Sequence, residues 1–137
     1  MNNALITVTG YQCSNGEQDC IELKTLGKFG IKDGKYYVKY TEETETKATC
    51  DTLIKIDGDE AVISKSGDTD CRMIIKVGKR NTCCYTSSGN ALILDIYGLL
   101  VESNLNNSGG SLSLEYELNM NFTPISKNRI EITVKEV

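Results

Sequence analysis

A strict alternation of polar and apolar residues runs through Ser111-Leu112-Ser113-Leu114-Glu115-Tyr116-Glu117-Leu118-Asn119-Met120-Asn121-Phe122. Side chains on a β-strand point alternately to opposite faces, so this stretch has one apolar face, from Leu112 to Phe122, and one polar face. Residues 128–136 repeat the alternation, and we predict a turn between the two segments around Pro124 to Lys127. The C-terminal part of the chain is therefore predicted to be an antiparallel hairpin with one buried face.

Shorter segments with the same alternation precede this hairpin. Residue pairs that tolerate positive φ in tight turns separate several of them, namely Asn15-Gly16, Asp33-Gly34, Asp57-Gly58 and Ser88-Gly89. No stretch of about twelve residues has the periodicity and caps of a helix. Because a long antiparallel meander exposes its edges unless it closes, we predict an all-β fold, a single antiparallel up-and-down β-barrel of about 8–10 strands. A two-sheet sandwich is the alternative, since alternation alone does not separate the two.

Length and charge restrict the classes of function. The 137 residues correspond to one ordinary domain, so we expect a single β-barrel domain over residues 1–137. The net charge of −4 has the wrong sign for following a phosphate backbone, and no nucleic-acid partner is expected. No apolar run approaches the roughly 18 residues of a membrane-spanning helix, and the N-terminal residues lack the features of a signal peptide. We therefore expect a cytoplasmic protein that does not associate with membranes.

The chain has no histidine, the side chain that most often serves as a general base or a zinc ligand. None of its six cysteines forms a C-x-x-C pair, and in a reducing compartment we expect all six to be free thiols. Cys83 and Cys84 are adjacent, so on a strand one of them should be buried. We expect no metal site, no cofactor and no catalytic residues.

Polar residues occur where the alternation continues an apolar strand face. Gln12 continues the face that carries Ile6, and Glu42 continues the face that carries Tyr36 and Tyr40. Either these strands reach the solvated rim of the barrel at these positions, or the polar groups point inward and orient a bound molecule. The second interpretation predicts a ligand-binding site formed by Gln12, Tyr36, Tyr40, Glu42, Lys65, Tyr85 and Tyr116.

Several segments, taken in their order and spacing, carry a resemblance to a known family. They are Gly10-Tyr11-Gln12, Asp19-Cys20-Ile21-Glu22-Leu23 with Thr25 and Gly27, Lys35-Tyr36-Tyr37-Val38-Lys39-Tyr40 with Glu42, Met73, Gly78, Tyr85-Thr86-Ser87-Ser88-Gly89, and Leu112-Ser113-Leu114-Glu115-Tyr116-Glu117-Leu118. The chain resembles the YwiB-like family of uncharacterised small bacterial proteins, which has a calycin-type, lipocalin-like β-barrel. The resemblance implies a fold and supplies no activity. Where we expect Arg-x-Gly in that family, this chain has Lys65-Ser66-Gly67, which keeps the charge but loses the bidentate geometry of arginine.

Three functions are consistent with these features. The first is binding of a small amphipathic or apolar ligand in the barrel interior. The second is a non-catalytic accessory or regulatory role through contact with another protein, whose identity the sequence does not indicate. The third is an enzyme that uses Glu42 with a tyrosine or a lysine. Because no catalytic set of residues is recognisable, we expect binding rather than catalysis.

Overall fold

The computed structural model describes residues 1–43, 48–87 and 89–137, and it contains ten strands. They are β1 (Asn2–Ser14), β2 (Glu17–Lys32), β3 (Lys35–Glu43), β4 (Thr49–Asp57), β5 (Glu60–Gly67), β6 (Thr69–Lys76), β7 (Arg80–Ser87), β8 (Asn90–Asn106), β9 (Gly109–Met120) and β10 (Thr123–Glu136). Each strand pairs antiparallel with the next, and β1 also pairs with β10. The predicted all-β up-and-down barrel is confirmed, and the two-sheet sandwich is wrong, because the strand order closes into one ring. No helix in the described part of the chain is long and apolar enough to cross a membrane.

The first two hairpins turn where local chemistry predicts. Asn15 and Gly16 have φ angles of 51° and 79°, and Asp33 and Gly34 have φ angles of 54° and 76°. Two consecutive residues with positive φ are the mark of a type I′ turn, whose twist matches that of the flanking strands. Of the predicted Ser88–Gly89 turn, Ser88 lies outside the described residues.

The hairpin of β9 and β10 turns earlier than predicted. Asn121 and Phe122 form the turn with φ angles of 51° and 64°, while the predicted turn residues Pro124 to Lys127 belong to β10. Phe122 is consequently 87% exposed instead of buried. Asparagine tolerates positive φ, and the proline is accommodated at the start of β10, where the pairing register shifts before Ser126.

Side chains that pair across neighbouring strands form layers inside the barrel. Val38 lies opposite Ile54, Ile54 lies opposite Ile63, and Ile63 lies opposite Met73, so one apolar layer spans β3 to β6. All four side chains are buried. The strands on the other side of the barrel complete the core with Ile6, Ile96, Leu112, Leu114 and Ile132.

The strands β2 and β3 pair over only part of their length. Pairing covers Lys28–Lys32 of β2 and Lys35–Lys39 of β3. Next to it, Gly27 lies so close to β3 that a Cβ atom there would collide with the carbonyl oxygen of Lys39. From Gly27 back to Glu17, β2 pairs with β1 on one side and with no described strand on the other. A cleft therefore opens between β2 and β3 at the barrel end that carries the β1–β2 turn.

A second irregularity lies at the other end of the barrel, between β6 and β8. The residue after β6, Val77, forms a parallel bridge with Gly98 of β8. The Gly98 N–H donates to the Lys79 carbonyl at 3.1 Å, and the Gly78 N–H donates to the Gly98 carbonyl at 2.9 Å. A Cβ atom at Gly98 would collide with the backbone of Lys76, so this close approach requires glycine.

Replacing Gly98 with alanine should lower the free energy of unfolding by about 1–3 kcal/mol, because the methyl group can be placed only by moving the Lys76 backbone. Urea unfolding followed by circular dichroism measures the change. Gly10→Ala is the matched control, since the nearest atom to its added Cβ lies at 4.0 Å and Gly10 does not have positive φ. Equal loss of stability in the two variants would contradict this assignment.

Candidate ligand-binding site

A polar layer lies directly above the apolar layer of β3 to β6. Tyr40 pairs with Thr52, Thr52 pairs with Lys65, and Lys65 pairs with Cys71. Residues opposite one another in paired strands point to the same face of the sheet, so these four side chains belong to the interior face. The layer lies toward the barrel end at which the cleft between β2 and β3 opens.

Lys65 of this layer forms an ion pair with Glu42. Glu42 follows Tyr40 by two positions on β3, so it continues the same face. Its Oε1 accepts a hydrogen bond from the Lys65 ammonium at 3.3 Å and another from the Thr52 hydroxyl at 3.3 Å. The Glu42 and Lys65 side chains are 32% and 26% exposed, while Thr52 is fully buried. The two charges are partly withdrawn from solvent and compensate each other.

Two buried tyrosines supply hydroxyl groups near the ion pair. Burial raises the pKa of the Tyr40 phenol, and the neighbouring Glu42 carboxylate raises it further. On β9, burial raises the pKa of Tyr116 to about 12, with a further contribution from the Cys71 and Cys83 thiols. Both phenols are protonated at neutral pH, as tyrosines ordinarily are, and can donate hydrogen bonds; the raised pKa values extend this to alkaline pH.

Buried thiols line the same end of the interior. All six cysteines are free, and Cys50, Cys71 and Cys83 are buried. Burial raises the pKa of Cys71 to about 11 and also raises the pKa of Cys83, which keeps both as unreactive thiols at neutral pH. Cys84 is exposed while Cys83 is buried, as the alternation of the two residues predicts. In the described residues, no three cysteine, aspartate or glutamate side chains are grouped to hold a metal ion.

These layers line a partly open cavity of about 230 Å³. Its polar lining consists of Tyr40, Glu42, Lys65 and Tyr116. Its apolar lining consists of Val8, Ile21, Leu23, Ile54, Ile63, Met73 and Ile130. Ile21 and Leu23 come from the part of β2 that does not pair with β3, so the cavity adjoins the cleft. Hydrogen-bonding groups thus converge at one side of an otherwise apolar space.

Four of the seven predicted site residues meet around this cavity. Tyr40 and Glu42 come from β3, Lys65 from β5 and Tyr116 from β9. The pairing of β3 with β4 and of β4 with β5 brings the first three together, and Tyr116 reaches them across the barrel.

The other three predicted residues lie elsewhere. Gln12 is exposed and lines a separate groove of about 420 Å³ between the β1–β2 hairpin and β10. Tyr36 lies toward the opposite end of the barrel, where its ring stacks on Phe29 with 6.1 Å between centroids. Tyr85 is half-buried against the core and does not line the cavity.

Sequence reasoning missed Thr52 and Cys71. Both have buried side chains in the polar layer, and Thr52 donates to the Glu42 carboxylate. A signal for Thr52 was present, because it interrupts the apolar alternation between Cys50 and Ile54 on a buried face. Cys71 gave no comparable signal, since a buried cysteine is an ordinary core residue.

The raised pKa of Tyr116 makes folding sensitive to alkaline pH. The folded state keeps a proton that the unfolded chain releases near pH 10, so the stability present below pH 10 is lost as the pH rises toward 12. Tyr116→Phe should remove about 1.4 kcal/mol per pH unit from the slope of stability against pH in this range. Urea unfolding at several pH values measures the slope. Tyr11→Phe, on a tyrosine that is 42% exposed, is the control, and equal slopes in the two variants would contradict the prediction.

Comparisons with known proteins agree with this fold. The sequence profile of the family described as "Domain of unknown function (DUF1934)" matches residues 6–132. The "Uncharacterized beta-barrel protein YwiB" of Bacillus subtilis (strain 168) is 26% identical over 106 residues, which cover 77% of this chain and 74% of that protein. The crystal structure of the ywiB protein from Bacillus subtilis superimposes with a TM-score of 0.90 at 22% identity, over 99% of this chain and 92% of the other. These matches confirm the resemblance inferred from the sequence, and the chain belongs to the DUF1934 family, a domain of unknown function.

Proposed function

We propose that the barrel binds one small amphipathic molecule without net charge in the 230 Å³ cavity beside the Glu42–Lys65 pair. The observation that carries this proposal is that the cavity has one polar side and one apolar side. One side offers Tyr40, Glu42 and Lys65, and the other side is apolar. An amphipathic molecule has the same division, and small-molecule sites combine an apolar lining with a few convergent polar groups in this way.

The cavity volume limits the size of the ligand. An engineered apolar cavity of about 150 Å³ is large enough to bind benzene. On that scale, a cavity of about 230 Å³ accepts roughly ten non-hydrogen atoms. A ligand of this size is expected to have a dissociation constant on the order of micromolar to millimolar.

The ion pair favours a ligand without net charge. A carboxylate that approaches Lys65 would also meet Glu42, and an ammonium that approaches Glu42 would also meet Lys65, since the two groups lie 3.3 Å apart. Either head group would form a like-charge contact in a partly desolvated layer, which is unfavourable. A hydroxyl or amide head can donate to Glu42 and accept from Tyr40 or Lys65 without adding a charge.

Three probes with the same eight-carbon body test the proposal. Octan-1-ol, octanoate and octylammonium carry a neutral, an anionic and a cationic head group, and isothermal titration calorimetry at pH 7 gives their affinities. We expect octan-1-ol to bind about tenfold or more tightly than either ion, because an uncompensated charge in such a layer costs more than about 1.4 kcal/mol. Absence of saturable binding by all three probes would refute the proposal.

Two variants should change which of the three probes binds most tightly. Lys65→Met leaves Glu42 as the only charge of the pair, so octylammonium should become the tightest probe. Glu42→Gln leaves Lys65, so octanoate should become the tightest probe. Circular dichroism and the unfolding midpoint verify that each variant is folded. If both variants keep the order of affinities found for the native chain, the probes bind elsewhere and this site is wrong.

A further inference from the structure

The edge of β2 offers backbone groups that binding in the cavity leaves unused. Between Glu17 and Gly27, β2 pairs with β1 on one side and has no partner on the other among the described strands. The N–H and C=O groups along an unpaired strand edge are a template for pairing with another chain. This edge ends at Gly27, because β2 pairs with β3 from Lys28 onward.

The charged residues of this edge flank Leu23, with Glu22 on one side and Lys24 on the other. In order, the residues of the edge are Cys20, Ile21, Glu22, Leu23, Lys24, Thr25 and Leu26. If two copies of this segment pair antiparallel with Leu23 opposite Leu23, Glu22 of each copy lies opposite Lys24 of the other. In the same register Cys20 lies opposite Leu26, and Ile21 lies opposite Thr25. Between Cys20 and Leu26, this register thus pairs opposite charges with each other and contains no like-charge pair.

The two neighbouring registers are less favourable for the charges. A shift to the next register that keeps the same faces together places Glu22 opposite Glu22, or Lys24 opposite Lys24. Like charges directly opposite each other in paired strands are unfavourable. A one-residue slip would instead place outward-facing residues opposite inward-facing ones. The Leu23-centred alignment is therefore favoured over its neighbours, and it pairs Glu22 of each copy with Lys24 of the other.

The side chains of this segment are accessible for such a contact. Glu22 and Lys24 are 57% and 67% exposed, and their mutual contact within one chain is long, at 3.9 Å. Ile21 and Leu26 are 74% and 70% exposed, although both are large and apolar. Exposed apolar residues on a strand edge are the feature that soluble proteins ordinarily cover or interrupt with charge.

We infer that two copies of this chain associate through an antiparallel β2–β2 pair centred on Leu23. The charge complementarity of the edge with itself identifies a second copy as the occupant, because an unrelated extended peptide would not require this symmetry. A two-fold axis through Leu23 brings the same surface of each copy together, as an isologous dimer demands. The contact joins the two barrels at their clefts and pairs the part of the β2 backbone that no described strand pairs on that side.

Charge reversal tests the inference without disturbing the core. Sedimentation equilibrium gives the dimer dissociation constant of the native chain, of Glu22→Lys and of Lys24→Glu. Each single reversal turns both charge pairs of the dimer into like-charge pairs, so we expect the dissociation constant to rise about tenfold or more. Glu102→Lys, an exposed reversal on β8, changes the net charge by the same amount and sign as Glu22→Lys and should leave the dimer unchanged.

An equimolar mixture of the two single variants supplies the decisive measurement. In the mixed dimer, both lysines of the Glu22→Lys chain lie opposite glutamates of the Lys24→Glu chain. We therefore expect the mixture to associate with nearly the native dissociation constant, although each variant alone does not. A native chain that stays monomeric at about millimolar concentration would overturn the inference. So would a native dimer whose affinity neither reversal changes, or a mixture that associates no better than its components.

Discussion

The pairing of β1 with β10 is the interaction on which the rest of this molecule depends. It runs from Ala4 opposite Glu136 to Cys13 opposite Lys127 and turns a ten-strand meander into a ring. A ring gives every strand one inner and one outer face, so a simple alternation in the sequence is enough to separate core from surface. Without this closure, the polar layer around Thr52 would have no enclosed interior to line.

Strand pairing around the ring is partial between β2 and β3 and between β6 and β7, and the cavity lies beside the first of these junctions. The separation of β2 from β3 beyond Gly27 opens a cleft beside the cavity and leaves the backbone edge of β2 without a partner among the described strands. Ile21 and Leu23 contribute to both features, because their side chains line the cavity while their backbone lies on this edge. The partial pairing of β2 with β3 thus places the cavity next to the outer surface.

The sequence predicted which side chains face the barrel interior better than it predicted where each residue lies along the barrel axis. Alternation correctly assigned Tyr40 and Glu42 to the inner face, but it assigned Tyr36 to the same site although that residue lies toward the opposite end. The position of a residue along the barrel axis depends on which residues pair across neighbouring strands. This register is a property of the tertiary structure. The pairing of Thr52 with Lys65 could not be predicted from the sequence for this reason.

Turns were predicted where Asn-Gly or Asp-Gly marks them, and were missed at Asn121-Phe122, which contains no glycine.

The ring also constrains the order of events while the chain is being made. The hairpin of β1 and β2 is local and can form early, but the other side of β1 must wait for β10, whose residues follow it by more than a hundred positions. At about 5–20 residues per second, the ribosome takes on the order of ten seconds to supply that partner. During this interval the nascent chain carries an open strand beside a row of apolar side chains. The ring therefore closes only after nearly the whole chain has been made, and until then the apolar inner faces of the strands are not enclosed by it.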